Sequence, residues 1–261
     1  MTKMKKFAAL LLALSMAFAL CACSNQKGSF TTVEEGKLHM STNAAFPPYE
    51  MTTDDGGFEG IDVEVADAIA KKLGLELVVD DMAFNAALLA VQDGQSDIVM
   101  AAVTVNETRL EVMDFSDSYA TGVQVVIVKE DSAIQSIDDL VNADMIGCQA
   151  DTTGYFYASD TPENGGYGED HVTAYDTGAL AVMALMADQI DAVIIDNGPA
   201  KAYVEANEGL KILEGEWVVE DYAIGFAKGN DALKDAVNAA MAELKEDGTF
   251  QKIVDKYINA G

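Results

Sequence analysis

Polar and apolar positions follow two periods along this chain, and the places where one gives way to the other mark its elements. Lys37–Thr42 (KLHMST) alternates with a period of two, which predicts a half-buried strand. Over Ile61–Leu73 (IDVEVADAIAKKL) the apolar residues move to helical spacing, with Asp67, Lys71 and Lys72 on the opposite side and Gly74 placed to close the helix. A strand follows at 75–79, a helix at 85–93 ended by Gly94, and a strand at 97–102. Further along, the pattern predicts a strand at 123–128 (VQVVIV), a short helix at 137–141 and a strand at 145–149. Thr152, Thr153 and Gly154 open the next helix, followed by a strand at 171–175, a helix at 177–187 and a strand at 192–195. One strand at 220–228, a long amphipathic helix Asp231–Glu246 stopped by Gly248, and a last helix at 251–258 complete the chain.

Strand and helix alternate, so the fold class is α/β, a mainly parallel sheet covered by helices. Two stretches interrupt the rhythm. Residues 43–50 (NAAFPPYE) carry Pro47 and Pro48, which forbid a helix and fix an extended loop. Residues 114–120 (DFSDSYA) fit neither period and separate the first set of elements from a second. Residues 88–100 (LLAVQDGQSDIVM) and 185–195 (LMADQIDAVII) both run helix, turn, aspartate, apolar strand, with Asp97 and Asp191 in the same place, where each is expected to cap its turn. This weak repeat implies two similar lobes. The expected division is 33–118 with 223–261 as lobe 1, 124–217 as lobe 2, and 119–123 with 218–222 as two hinge strands that let the lobes close on a ligand.

Composition narrows the partners. The 261 residues carry a formal charge of −28, so nucleic acid is excluded as a partner, because phosphate binding needs clustered lysine and arginine. Residues 1–22 read as a secretory leader: Lys3, Lys5 and Lys6 precede an apolar run from 7 to 20 too short to span a bilayer comfortably. The leader ends in Leu20-Cys21-Ala22-Cys23, which resembles the lipobox of bacterial lipoproteins. Leucine three positions before and a small residue immediately before fit Cys23 and not Cys21, which implies cleavage at Cys23, lipidation of its thiol and attachment to the outer face of the cell membrane. Residues 23–32 then form a flexible tether. Losing the leader's three lysines takes the net charge from −28 to −31 and leaves Cys148 as a lone thiol, so no internal disulfide can form. His39 and His171 have no cysteine or histidine at metal-ligand spacing, and neither a metal nor a cofactor is expected.

Candidate chemistry centres on Arg109, the only arginine in the sequence. A surface ion pair is one reading. The other is a carboxylate receptor, because a planar guanidinium grips a carboxylate through two parallel hydrogen bonds. The setting favours the second: Thr104 lies just past a predicted strand and Arg109 in the segment that follows, and open α/β sheets bind ligands beyond strand carboxyl ends. Phe46, held before the double proline, fits equally a core plug or a stacking platform. Met183 and Met186 read as core filling.

Gly60 to Leu73 (GIDVEVADAIAKKL) matches at every constrained position the signature of the family 3 bacterial extracellular solute-binding proteins, the polar amino-acid receptors of ABC importers. Segments 43–50, 104–109, 114–119, 149–154 and 191–196 resemble further segments of that family, in order, over about 37–258. The resemblance implies a two-lobed periplasmic-binding-protein type II fold with a two-stranded hinge, the ligand lying in the cleft. It implies that Arg109 takes the ligand α-carboxylate with Thr104 and the backbone N–H groups of Thr152 and Thr153, and that Asp196 and the Ala102 carbonyl take the α-ammonium. Phe46 and Phe84 would sandwich the side chain, and Asn43, Gln149 and Ile195 would line its far end.

The chain departs from the family at points that bear on the ligand. Asn43 stands where relatives that bind cationic side chains often carry an acid, Ala83 where many have aspartate, and Ile195 where some have histidine. Ala102 replaces a glycine. With no carboxylate beyond Asp196 assigned to the pocket, a buried cationic side chain would lack a partner, so a neutral amino acid is expected. The implied function is a monomeric, lipid-anchored, extracytoplasmic receptor that hands an amino acid to an ABC importer permease. A dehydratase-like enzyme on the same fold, acting on a small carboxylate, is the alternative; it needs a base of suitable pKa, and Asp196 is the only candidate.

Overall fold

The computed structural model describes residues 30–258, so the leader 1–22, Cys23 and the last residues of the chain lie outside the described residues. Lobe 1 starts with β1 (Lys37–Thr42), followed by a small three-stranded antiparallel sheet of β2 (Ala45–Phe46), β3 (Glu50–Thr52) and β4 (Phe58–Glu59). Then come α1 (Ile61–Leu73), β5 (Glu76–Asp81), α2 (Phe84–Gln92), β6 (Ile98–Val99), α3 (Glu107–Val112) and β7 (Met113–Phe115). The long strand β8 (Ala120–Lys129) leads into lobe 2, which contains β9 (Ile146–Gln149), α4 (Thr153–Ser159), β10 (Val172–Tyr175), α5 (Gly178–Met186), β11 (Ala192–Asp196), α6 (Asn197–Ala206) and β12 (Leu210–Ile212). β13 (Val218–Tyr222) runs back to β14 (Gly225–Ala227) in lobe 1, and α7 (Asp231–Glu246) and α8 (Thr249–Ile258) follow.

The internal repeat is realised as a repeated sheet. Lobe 1 orders its strands β5-β1-β6-β14-β7, and lobe 2 orders them β10-β9-β11-β8-β12 with β13 on β8. In each, three parallel strands meet one antiparallel strand: β14 runs against β6, as β8 runs against β11. The returning strand β14 therefore occupies in lobe 1 the place that β8 occupies in lobe 2. Each lobe has its own apolar core, built in lobe 1 around Leu88, Val91, Val99, Val103 and Met113 and in lobe 2 around Val126, Ile146, Ala192 and Ile194.

Helix α1 shows how the sequence sets the local geometry. Ile61, Val65, Ala66 and Ile69 are buried on one side, and Gly74 ends the helix in the left-handed conformation at φ 78°. Gly60, just before it, sits at φ 130°, and a Cβ there would lie 2.1 Å from the Tyr49 carbonyl oxygen. Only glycine lets the 43–50 loop lie against the start of this helix.

Several expectations are corrected. Asp97 and Asp191 do not cap their own turns: Asp97 accepts the backbone N–H groups of Val33 and His39, both at 2.7 Å, and Asp191 accepts those of Asp144 at 2.7 Å and Met145 at 3.0 Å. Each thus pins the segment entering the neighbouring parallel strand, and the pair occupies equivalent places in the two lobes. The single strand expected at 220–228 is two, because the chain leaves one sheet at Tyr222 and enters the other at Gly225. Met113–Phe115 forms an edge strand inside a stretch too short to show periodicity, and α6 and β12 were not legible from the pattern. His39 is more than a plain strand residue, since its ring faces Asp80 at 2.8 Å and Glu34 at 3.3 Å. Met183 is 64% exposed, so the methionines of α5 do not all fill the core.

Candidate functional site

A small cavity of about 20 Å³ lies where the two sheets present the carboxyl ends of their parallel strands to each other. Lobe 1 contributes Asn43, Phe46, Glu50, Phe84, Ala101, Ala102, Thr104 and Arg109 to its wall. Gln149, Thr152, Thr153 and Asp196 come from lobe 2.

Arg109 is held from its own helix and from across the cleft. Asn106 caps α3 by accepting the Arg109 backbone N–H at 2.8 Å, which fixes where the side chain leaves the helix. The guanidinium donates Nη1–H to the Thr104 carbonyl at 2.9 Å and Nη2–H to the Asp151 carbonyl of lobe 2 at 3.5 Å. The guanidinium carbon lies 5.4 Å from the centre of the Phe84 ring, a cation–π distance. Burial pushes the Arg109 pKa down, and the nearby Glu220 carboxylate opposes that shift.

Asp196 ends β11, where its carboxylate is buried and held by two donors. The Tyr222 hydroxyl donates to Oδ1, and the Gln124 amide donates to Oδ2 at 3.0 Å. Burial raises its pKa to about 7; the bonds from Tyr222 and Gln124 lower it, and Glu220 raises it further. Gln124 Nε2 also donates to Glu220 Oε2 at 3.0 Å, and Thr153 Oγ1 donates to the same oxygen at 2.9 Å. A Cβ on Gly122 would lie 2.2 Å from the Tyr222 hydroxyl and ring, so glycine at this point of β8 makes room for the tyrosine that holds Asp196.

Ala102 adopts φ 46°, the left-handed region that favours glycine, which gives physical content to its replacing one. Its backbone N–H donates to Asp62 Oδ2 at 2.9 Å. At the far end the two lobes touch directly: Gln149 Nε2 donates to Asn43 Oδ1 at 2.9 Å, and the Tyr203 hydroxyl donates to the Ala45 carbonyl at 3.0 Å.

The cavity wall thus brings together every residue expected there except Ile195. Side chains alternate along β11, so Ile195 faces away from Asp196, and its Cδ1 packs where a Cβ of Gly178 would be, at 2.4 Å. Sequence reasoning missed Glu50 and Ala101 in the wall, and Gln124, Glu220 and Tyr222 behind it. A signal for the last two was present: in Val218–Tyr222 a glutamate and a tyrosine two residues apart share one side of the strand. Nothing local distinguished Glu50 from an ordinary loop glutamate. Cys148 is buried, its thiol 3.7 Å from the Gly154 carbonyl and pushed up to about 12 by burial.

Comparison with known proteins agrees with this architecture. The chain is 35% identical to the arginine-binding extracellular protein ArtP of Bacillus subtilis over 97% of this chain and 98% of that protein. The structure of an ancestral arginine-binding protein bound to glutamine superposes with a TM-score of 0.79 at 34% identity, covering 86% of this chain and 99% of that one. One of an ancestral arginine-binding protein bound to arginine gives 0.79 at 36% identity, over 85% and 98% of the two chains. The sequence profile of the bacterial extracellular solute-binding proteins, family 3, covers residues 38–260, and the chain belongs to that family.

Proposed function

We propose that this protein is the receptor of an amino-acid ABC importer: it encloses a free amino acid between its two lobes outside the cytoplasm and presents the closed form to the permease. One observation carries the reading. Within one cavity, the single guanidinium of the chain stands on lobe 1 and a buried carboxylate on lobe 2, the two opposite charges that a zwitterion needs. Arg109 takes the α-carboxylate, with the Thr104 hydroxyl and the backbone N–H groups of Thr152 and Thr153 beside it. Asp196 takes the α-ammonium together with the Ala102 carbonyl. The side chain runs between Phe46 and Phe84 toward the Asn43–Gln149 amide pair.

That far end is uncharged, and we read the ligand as a neutral amino acid with a polar tip, such as glutamine. An arginine-binding relative keeps the cationic class in the test. The rest of the reading follows the same logic. Residues 119–123 and 218–222, paired antiparallel from Ala120 with Tyr222 to Gln124 with Val218, act as the hinge between lobe 1 (33–118 and 223–261) and lobe 2 (124–217). Cys23 carries the lipid that keeps a monomeric receptor at the membrane, tethered by residues 23–32. The Asp196 carboxylate is already engaged by Tyr222 and Gln124, which suits binding rather than the proton abstraction a dehydratase needs. A calorimetric panel of the common amino acids against wild type and Arg109→Ala tests the proposal. Micromolar or tighter binding to wild type, lost in the variant, is expected; binding that survives in Arg109→Ala overturns it.

A further inference from the structure

Glu50 and Asp62 form a buried pair of acids under the amino-acid cavity. Glu50 is 1% exposed and belongs to the cavity wall; Asp62, in the first turn of α1, is 0% exposed. One oxygen of Asp62 is fully committed: Oδ2 accepts the Ala102 N–H at 2.9 Å and the Tyr119 hydroxyl at 2.8 Å. Its Oδ1 and the Oε2 of Glu50 meet no donor among the described residues. Buried oxygens are left without a donor only at substantial cost, and two ionised carboxylates in contact would add repulsion. The Glu50 and Asp62 side chains act as hydrogen-bond partners of each other, so a proton held between them offsets the cost of burying two carboxylates side by side.

We propose that Glu50 is a positioning residue that works as a protonated acid: it donates to Asp62, and Asp62, held ionised, fixes the Ala102 backbone whose carbonyl faces the ligand ammonium. The proton belongs on Glu50 because the two donors on Asp62 favour the ionised form of that group. The charged groups facing Glu50 are Asp62, Asp81 and Asp196, all acidic, and the surrounding hydroxyls belong to Tyr49, Tyr119 and Tyr203. Burial and these acids hold the Glu50 pKa well above the usual carboxylate range. The need for such a brace is visible at Ala102, which keeps φ 46° without being glycine. The inference rests on the amino-acid reading above and explains why a carboxyl group in the cavity wall does not call for a cationic side chain: Glu50 is neutral, its O–H donating to Asp62.

Two measurements test it. Infrared spectra of the ligand-free protein at about pH 8.5, where Asp196 is ionised, should show the carbonyl stretch of a protonated carboxylic acid that shifts on 13C-glutamate labelling and is missing in Glu50→Gln. Calorimetry with glutamine should place Glu50→Gln, whose amide still donates to Asp62, within about threefold of wild type, and Glu50→Ala at least about tenfold weaker. Absence of the band, or equal loss of affinity in both variants, overturns the proposal. If Glu50→Ala does not fold, the band and the affinity of Glu50→Gln decide alone. A wild-type protein that shows the band but binds no amino acid refutes the receptor reading and the positioning role with it, while the shared proton stands.

Discussion

Arg109 and Asp196 show how the same burial acts on two groups of opposite sign. Arg109 stays charged because its reference pKa is far above neutrality and Glu220 offsets part of the desolvation. Asp196 does not have that margin; burial brings it to about 7. A ligand ammonium needs the ionised form, so affinity should fall as the pH drops below about 7, and calorimetry at neutral pH in two buffers of different ionisation enthalpy should register proton release on binding. An affinity flat between pH 5.5 and 8 would contradict the assignment of Asp196. Arg109→Lys keeps the charge but not the two-pronged geometry, and should weaken binding by about tenfold to a hundredfold, read as a change in Kd.

Individual elements carry the two lobes' likeness and their contact. Asp97 and Asp191 each grip the chain entering a central parallel strand, a function that depends on backbone donors and not on the ligand. Asp191→Ala leaves the half-buried N–H of Met145 and the exposed N–H of Asp144 without their acceptor. It should cost about 1–3 kcal/mol in denaturant unfolding, with the ligand Kd of the folded protein unchanged. On β8, Gly122→Ala should have the opposite signature. Its Cβ would strike the Tyr222 ring, displace the hydroxyl from Asp196 and weaken ligand binding more than it weakens folding, which paired calorimetry and thermal melts would separate.

For the molecule as a whole, the cleft acids make the ligand-free state sensitive to alkali. The folded pKa values of Asp62, about 6, and Asp196, about 7, lie above the usual value of 3.8. The unfolded chain releases these protons first, so their contribution to stability is full at low pH and is lost as the pH rises through 6 and 7. The ligand-free protein should therefore melt at a higher temperature near pH 5 than near pH 8, and a saturating amino acid should narrow the gap by supplying the cation that Asp196 lacks. Ligand at about a hundred times Kd adds roughly 2.7 kcal/mol on its own. A stability that rises from pH 5 to pH 8 without ligand would count against the buried-acid description.

Local pattern was enough for much of this protein. Lys37–Thr42, Ile61–Leu73 and Asp231–Glu246 take the bounds their periodicity predicts, because each buries one face against its lobe and needs no partner from the other lobe to be defined. The family segments likewise pointed to Arg109, Thr104, Thr152 and Asp196, which line one cavity; of these, Thr152 and Asp196 lie at element ends, as the cap of α4 and the last residue of β11. What the sequence left open depends on where distant segments meet. Glu50 became an inward-facing acid only when Gly60 let its loop lie on α1 beside Asp62, and Glu220 and Tyr222 reached the cleft only because β13 pairs with β8. Ile195 was misplaced for a related reason: which face of β11 meets the cavity is set by how that strand sits between β9 and β8. Hydrogen-bond partners, burial and the resulting proton positions are properties of those meetings, and they come into existence only with the tertiary fold.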